Sequence, residues 1–75
     1  MTVHVTVSGW AVGFEKIRFT HLLMDSTGMN FADAKHSTDG LVGGAPIELE
    51  FDSELAASNF RASAARLGAI MAEDS

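Results

Sequence analysis

Two short stretches of the chain alternate strictly between apolar and polar side chains. In residues 2–8, TVHVTVS, the valines take every second position, and in residues 46–51, PIELEF, apolar residues alternate with two glutamates. Successive side chains of a strand point to opposite faces, so this period predicts two half-buried β-strands. Gly9 is expected to end the first strand, with a turn at 10–13, and Pro46 to begin the second.

A helical period follows the first strand in residues 14–27. At 100° per residue, Phe19, Leu22 and Leu23 share one arc, which we expect to face the sheet. A second arc is too mixed for a core and too apolar for an ordinary solvated face. Its members are Ile17, Thr20, His21 and Met24.

The stretch DSTGMN, residues 25–30, predicts a break between two helices. Gly28 is expected to close the first helix as a left-handed C-cap, and Asn30 to begin the second as its N-cap. The composition of HSTDG predicts that this second helix is short, about 31–38. GLVGG, residues 40–44, is expected to form a loop. The inward residues of the short helix are expected to be Phe31 and Ala34.

A third helix is expected from a cap at Asp52 or Ser53 to about Leu67, followed by Gly68. Residues 69–73, AIMAE, predict a weak final strand. The buried side of the third helix is expected to comprise Leu55, Phe60, Ala64 and Leu67.

The order strand, helix, helix, strand, helix, strand predicts one α+β domain over residues 1–75. We expect a two-layer sandwich in which three helices cover one face of a three-stranded antiparallel sheet. The other face would be polar and solvated. That polar face is expected to carry Thr2, His4, Thr6, Glu48 and Glu50. The expected core consists of Val3, Val5, Val7, Phe19, Leu22, Leu23, Ile47, Leu49, Phe51, Phe60 and Leu67.

Composition narrows the classes of function. The chain has 75 residues, 47% of them apolar, and five basic against ten acidic residues for a net charge of −5. That charge repels phosphate backbones, so a nucleic-acid partner is not expected. No apolar run approaches the ~20 residues that cross a bilayer, and the N-terminus does not read as a signal peptide, so no membrane partner is expected either. We expect a cytoplasmic protein, a monomer or weak dimer, with no disulfide because it has no cysteine.

No pattern of reactive side chains predicts chemistry. His4, His21 and His36 do not pair at metal-ligand spacing, and helix capping accounts for Ser53 and Asn30. GLVGG has no lysine and precedes a strand, so it is not a phosphate-binding loop. We therefore expect no metal, no cofactor and no enzyme activity.

The order of elements, with a Thr-Gly junction between the first two helices, resembles the C-terminal domain of the bacterial large-subunit ribosomal stalk protein. The resemblance covers nearly the whole chain and implies the fold predicted above. It also implies a domain that recruits translation factors through a basic and apolar surface on the first two helices. The matching residues are Lys16, Ile17, Thr27, Gly28, Ala34, Lys35 and Gly68.

Carried over residue by residue, the resemblance implies a protein-binding site in which Lys16, Ile17 and Lys35 keep the family's character. Thr20, His21 and Met24 stand where the family has an apolar residue and two basic ones, and Ala32 replaces a further lysine. Fewer fixed positive charges weaken steering toward acidic partners. We therefore expect weak or no binding to translation factors themselves, and a protein partner of unknown identity held mainly by the apolar strip from Ile17 to Met24. A link of that partner to translation is what the resemblance implies. The alternative that this strip packs against the second helix stays open.

A second family has the same topology: the small adaptors that deliver substrates to a bacterial ATP-dependent protease. The long loop expected before PIELEF fits that family somewhat better, and would make the chain a peptide-recognising adaptor. Its acidic stretch after the first strand is replaced here by SGWAVG, and Val42 lies near the place of its ligand-binding histidine.

Trp10, in the expected turn, either caps the core or anchors a partner.

Overall fold

The computed structural model describes residues 2–72 of the chain. The elements follow the expected order and confirm the α+β class. The three strands form one antiparallel sheet in the order β2-β1-β3. In chain order the elements are β1 (Val3–Trp10), α1 (Lys16–Thr27), α2 (Phe31–Val42), β2 (Ile47–Phe51), α3 (Glu54–Arg66) and β3 (Ala69–Met71).

The core lies between the helices and the valine face of the sheet. Val5 pairs with Leu49 and Val7 with Ile47, and all four side chains are buried. Phe60 stacks within 5.3 Å of Phe51, between ring centroids. Most of the expected core is confirmed, while Val3, Leu22 and Leu67 pack against it and stay partly exposed. The inward direction expected for Ala34 is confirmed, and the buried apolar residues that the sequence did not predict are Leu41, Ala57 and Ala69.

The opposite face of the sheet is polar, as expected. His4, Glu48 and Glu50 are exposed there, and His4 Nε2 lies 3.6 Å from a carboxylate oxygen of its cross-strand partner Glu50. Such an exposed pair contributes little to stability. The helices therefore cover one face of the sheet and leave this polar face open.

The expectation that Gly9 ends the first strand is wrong. Gly9 pairs with Ile70 and Trp10 with Ala69, because the short β3 extends the pairing of β1 beyond β2. A β-bulge between Val7 and Gly9 shifts the alternation by one residue. Trp10 consequently lies on the same side of the sheet as buried Ala69, the helix side.

The junction between α1 and α2 is built as expected. Gly28 takes φ 76° and its amide donates to the carbonyl oxygen of Met24, so it is the left-handed C-cap. Asn30 is the N-cap, since its side-chain oxygen accepts a hydrogen bond of 2.8 Å from the Asp33 amide. α1 begins at Lys16 rather than at residue 14, because residues 14 and 15 belong to the connection from β1.

The expectation of a short second helix and a loop at 40–44 is wrong: α2 runs from Phe31 to Val42. Its buried stripe is Ala34, Thr38 and Leu41, at the helical spacing of four and three residues. Tertiary burial of that stripe outweighs the weak helix propensity of HSTDG. Phe31, expected to turn inward, is 52% exposed because it lies at the edge of the stripe in the first turn.

α3 is capped by Ser53, whose hydroxyl oxygen accepts from the Ala56 amide at 3.1 Å. The expectation that Leu55 is buried is wrong, because the buried stripe of α3 is Ala57, Phe60 and Ala64 and Leu55 lies outside it. β3 spans Ala69–Met71, and residue 73 of the expected strand lies outside the described residues. Among helices in residues 2–72, none is long and apolar enough to cross a membrane.

Candidate functional site

A pair of buried threonine hydroxyls joins α1 to α2. Thr20 Oγ1 lies 3.0 Å from Thr38 Oγ1 and 2.9 Å from the carbonyl oxygen of Lys16. Thr38 donates to the carbonyl oxygen of Ala34 at 2.9 Å. Buried hydroxyls are tolerated when they are hydrogen-bonded, so these bonds let the two helices approach closely without an unsatisfied polar group. Thr20, expected at the partner-binding surface, thus lies at the floor between the helices.

Above this floor the two helices enclose a surface groove of about 290 Å³. Ile17, on the α1 wall, is 76% exposed, and Phe31, on the α2 wall, is 52% exposed. Large apolar side chains this exposed on both walls give the groove an apolar lining that is open to a ligand. The lining residues are Lys16, Ile17, Thr20, Phe31, Lys35 and Asp39.

The charges of the groove centre on Asp39. Its carboxylate oxygens lie 2.9 Å from Lys35 Nζ and 3.4 Å from Lys16 Nζ. The hydrogen bond from Lys35 holds the pKa of Asp39 below its usual value, and Lys16 adds to this effect. Because the pKa is lowered on folding, the pairing stabilises the fold at neutral pH and is lost as the carboxylate is protonated in acid. All three side chains are about half exposed, so the contribution of these ion pairs to stability is small. Two lysines and one aspartate leave the groove with a local charge of +1.

The apolar lining continues beyond the groove along the start of α1. Phe14 lies with Ile17 in an adjoining depression, and its ring is 6.2 Å from that of Trp10. The Trp10 indole nitrogen donates to the Val42 carbonyl oxygen at 3.2 Å, which ties the end of β1 to the end of α2. Trp10 therefore braces the fold, and its remaining 43% exposure extends the same surface.

Some of the residues expected at the site line the groove, and the others lie elsewhere. Lys16, Ile17 and Lys35 come together at the groove. His21 is exposed on α1, and Met24 is partly buried and packed against the core. The expected strip from Ile17 to Met24 is therefore exposed at its first end and packed at its second. Phe31 and Asp39 are groove residues that sequence reasoning missed.

The three histidines lie on three different elements. His4 is on β1, His21 on α1 and His36 on α2. Within residues 2–72, no group of three or more histidine, aspartate or glutamate side chains is placed to hold a metal ion.

No protein-family model, no curated protein and no solved structure matches this chain. The geometry of the groove, together with the residue pattern of the chain, is what supports a functional proposal.

Proposed function

We propose that this chain is a non-enzymatic protein-interaction domain similar to the C-terminal domain of the ribosomal stalk protein. Through the groove between α1 and α2, it binds a protein partner that is linked to translation. The observation that carries the proposal is the exposure of Ile17 and Phe31 on facing walls of that groove. A 75-residue domain needs most of its apolar residues for folding. Two large apolar side chains left on one surface are therefore suited to binding.

The positions that match the stalk family support the same site. Lys16, Ile17 and Lys35, which stand where the family has its basic and apolar residues, line one groove. Gly28, from the Thr-Gly junction, sets the turn that brings α1 and α2 side by side. The proposed domain acts in the cytoplasm, where the translation machinery is.

The groove suits a partner that inserts an apolar side chain between Ile17 and Phe31. Asp39 offsets one of the two lysine charges, so long-range attraction of an acidic partner is weak. Binding would then depend on apolar contact and change little with salt. Apolar contact over so small a groove gives a modest affinity and fast exchange of partners.

The adaptor alternative loses the observation that favoured it. The connection before β2 is residues 43–46, because α2 continues to Val42. The connection that was expected to be long is thus short, and we keep the stalk-like proposal.

Affinity purification of the tagged chain from its native host tests the proposal. We expect ribosomal or ribosome-associated proteins to be recovered with the wild-type chain and to be lost from an Ile17→Asp variant. A Leu55→Asp variant is the matched control, because Leu55 is 72% exposed and lies outside the groove. Recovery of a protease ATPase in place of translation components would contradict the proposal and favour the adaptor.

A further inference from the structure

The outer edge of β2 is an open strand edge. β2 lies at one end of the sheet order β2-β1-β3 and pairs with β1 along its whole length, Ile47 to Phe51. In the part of the chain that the structure describes, no other strand pairs with β2. Alternate residues of an edge strand point their amide and carbonyl groups away from the sheet. β2 therefore offers a row of backbone donors and acceptors to an added strand.

The side chains along this edge differ between the two faces of the sheet. Glu48 and Glu50 are exposed on the polar face, and Leu49 points to the helix side, where it is buried. Met29, from the α1–α2 junction, lies beside Leu49 and is partly exposed. A cavity of about 500 Å³ lies against the edge and is lined from both faces. Its lining residues are His4, Thr27, Met29, Glu48, Leu49 and Glu50.

We propose that the edge of β2 binds an extended peptide segment of a partner protein, with basic and apolar residues in alternation, by strand addition. Backbone hydrogen bonds to β2 hold such a segment in place. Because side chains of an added strand alternate between faces, its basic residues lie beside Glu48 and Glu50. Its apolar residues lie on the helix side, beside Met29. This surface is separate from the groove between α1 and α2.

The same charges select against a second copy of the chain as the added strand. An antiparallel β2 pair centred on Leu49 places Glu48 of each copy opposite Glu50 of the other. Like charges directly opposite each other are destabilising. Registers shifted by one residue set the glutamates opposite inward-facing apolar side chains. A basic segment meets neither obstacle, and the net charge of −5 on the chain favours its approach.

The test uses the full chain and a labelled synthetic peptide, Thr-Val-Lys-Val-Lys-Val-Thr, at low ionic strength. Binding is measured by fluorescence anisotropy, and the site by hydrogen exchange of the backbone amides. We expect saturable binding and slower exchange in β2. A peptide with glutamate in place of lysine should not bind. Peptides N-methylated at alternate residues are made in both phases, and one of the two should fail because its bonding edge is blocked.

Variants of the protein separate charge at the edge from overall charge. Glu48→Gln together with Glu50→Gln should weaken binding of the lysine peptide by about 5- to 10-fold, since each exposed ion pair contributes modestly. Glu15→Gln together with Asp33→Asn changes the net charge equally, away from the cavity, and should have a much smaller effect.

Four results would overturn the inference. They are no binding of the lysine peptide, slowed exchange in an element other than β2, equal binding of both N-methylated peptides, and self-association of the chain that slows exchange in β2.

Discussion

Leu23→Ala is expected to lower the free energy of unfolding by about 2–5 kcal/mol. The substitution leaves a cavity in the core, and the surrounding residues relax into it only in part. Leu23 is 0% exposed and is among the largest fully buried side chains of the chain. A domain of this length has a total stability of roughly 4–11 kcal/mol, taking about 0.05–0.15 kcal/mol per residue. The variant should therefore melt roughly 10 °C or more below the wild type, as followed by circular dichroism.

Leu22→Ala is the matched control for this prediction. Leu22 is the preceding residue of α1 and is only partly buried against the core. The same substitution there should cost less, because less apolar surface is withdrawn from water in the fold. Equal losses at the two positions would show that α1 is rotated relative to the sheet from the orientation described above.

Gly68→Ala is expected to cost about 2–5 kcal/mol, since backbone strain and steric overlap act together. Gly68 has φ 98°, which side chains rarely adopt, and an added Cβ would lie 2.9 Å from Phe14 Cα. This close approach is fixed by hydrogen bonds between the two backbones. The Ala11 amide donates to the Gly68 carbonyl at 2.8 Å, and the Glu15 amide to the Leu67 carbonyl at 2.9 Å. The connection from β1 to α1 cannot move away without breaking them.

Gly28→Ala isolates the backbone part of that effect. Gly28 also has a positive φ, 76°, but an added Cβ meets no atom within 4 Å. It should cost about 1–2 kcal/mol, the strain of the left-handed conformation alone. Chemical denaturation of both variants measures the difference. Equal losses would mean that the contact between residue 68 and Phe14 is looser than described.

The elements of the fold were predictable because their signals are local. The alternation in TVHVTVS and PIELEF assigns a face to each side chain of β1 and β2, and the burial of Val5 and Leu49 follows it. Gly28 and Asn30 were recognisable as caps, since their roles depend on residues no more than four positions away.

The errors arose where distant residues decide the structure. The second half of α2 is held by contacts with α1, among them Thr38 with Thr20 and Asp39 with Lys16, and these are 18 and 23 positions apart. The path of β1 beyond Gly9 depends on β3, some 60 residues later. No local pattern reports such pairings.

The candidate site was predictable in part for the same reason. Lys16 and Ile17 are adjacent on α1. Lys35 lies near them because the junction between α1 and α2, which the local sequence predicts, places the two helices side by side. Phe31 does not face inward as expected. An apolar residue in the first turn of a helix, at the edge of the buried stripe, can face either the core or the solvent. The buried stripe of α2 is Ala34, Thr38 and Leu41, and Phe31 lies at its edge.

Partner capture by an Ile17→Asp, Phe31→Asp double variant, with its thermal unfolding recorded in parallel, decides whether the groove between α1 and α2 is the binding surface. Both side chains are largely exposed, and an acid in the first turn of α2 favours the helix. We expect a melting temperature close to that of the wild type and loss of the captured partner, whereas the Leu55→Asp variant keeps both the melting temperature and the partner. A folded double variant that still captures its partner would contradict the claim that the groove between α1 and α2 is the binding surface.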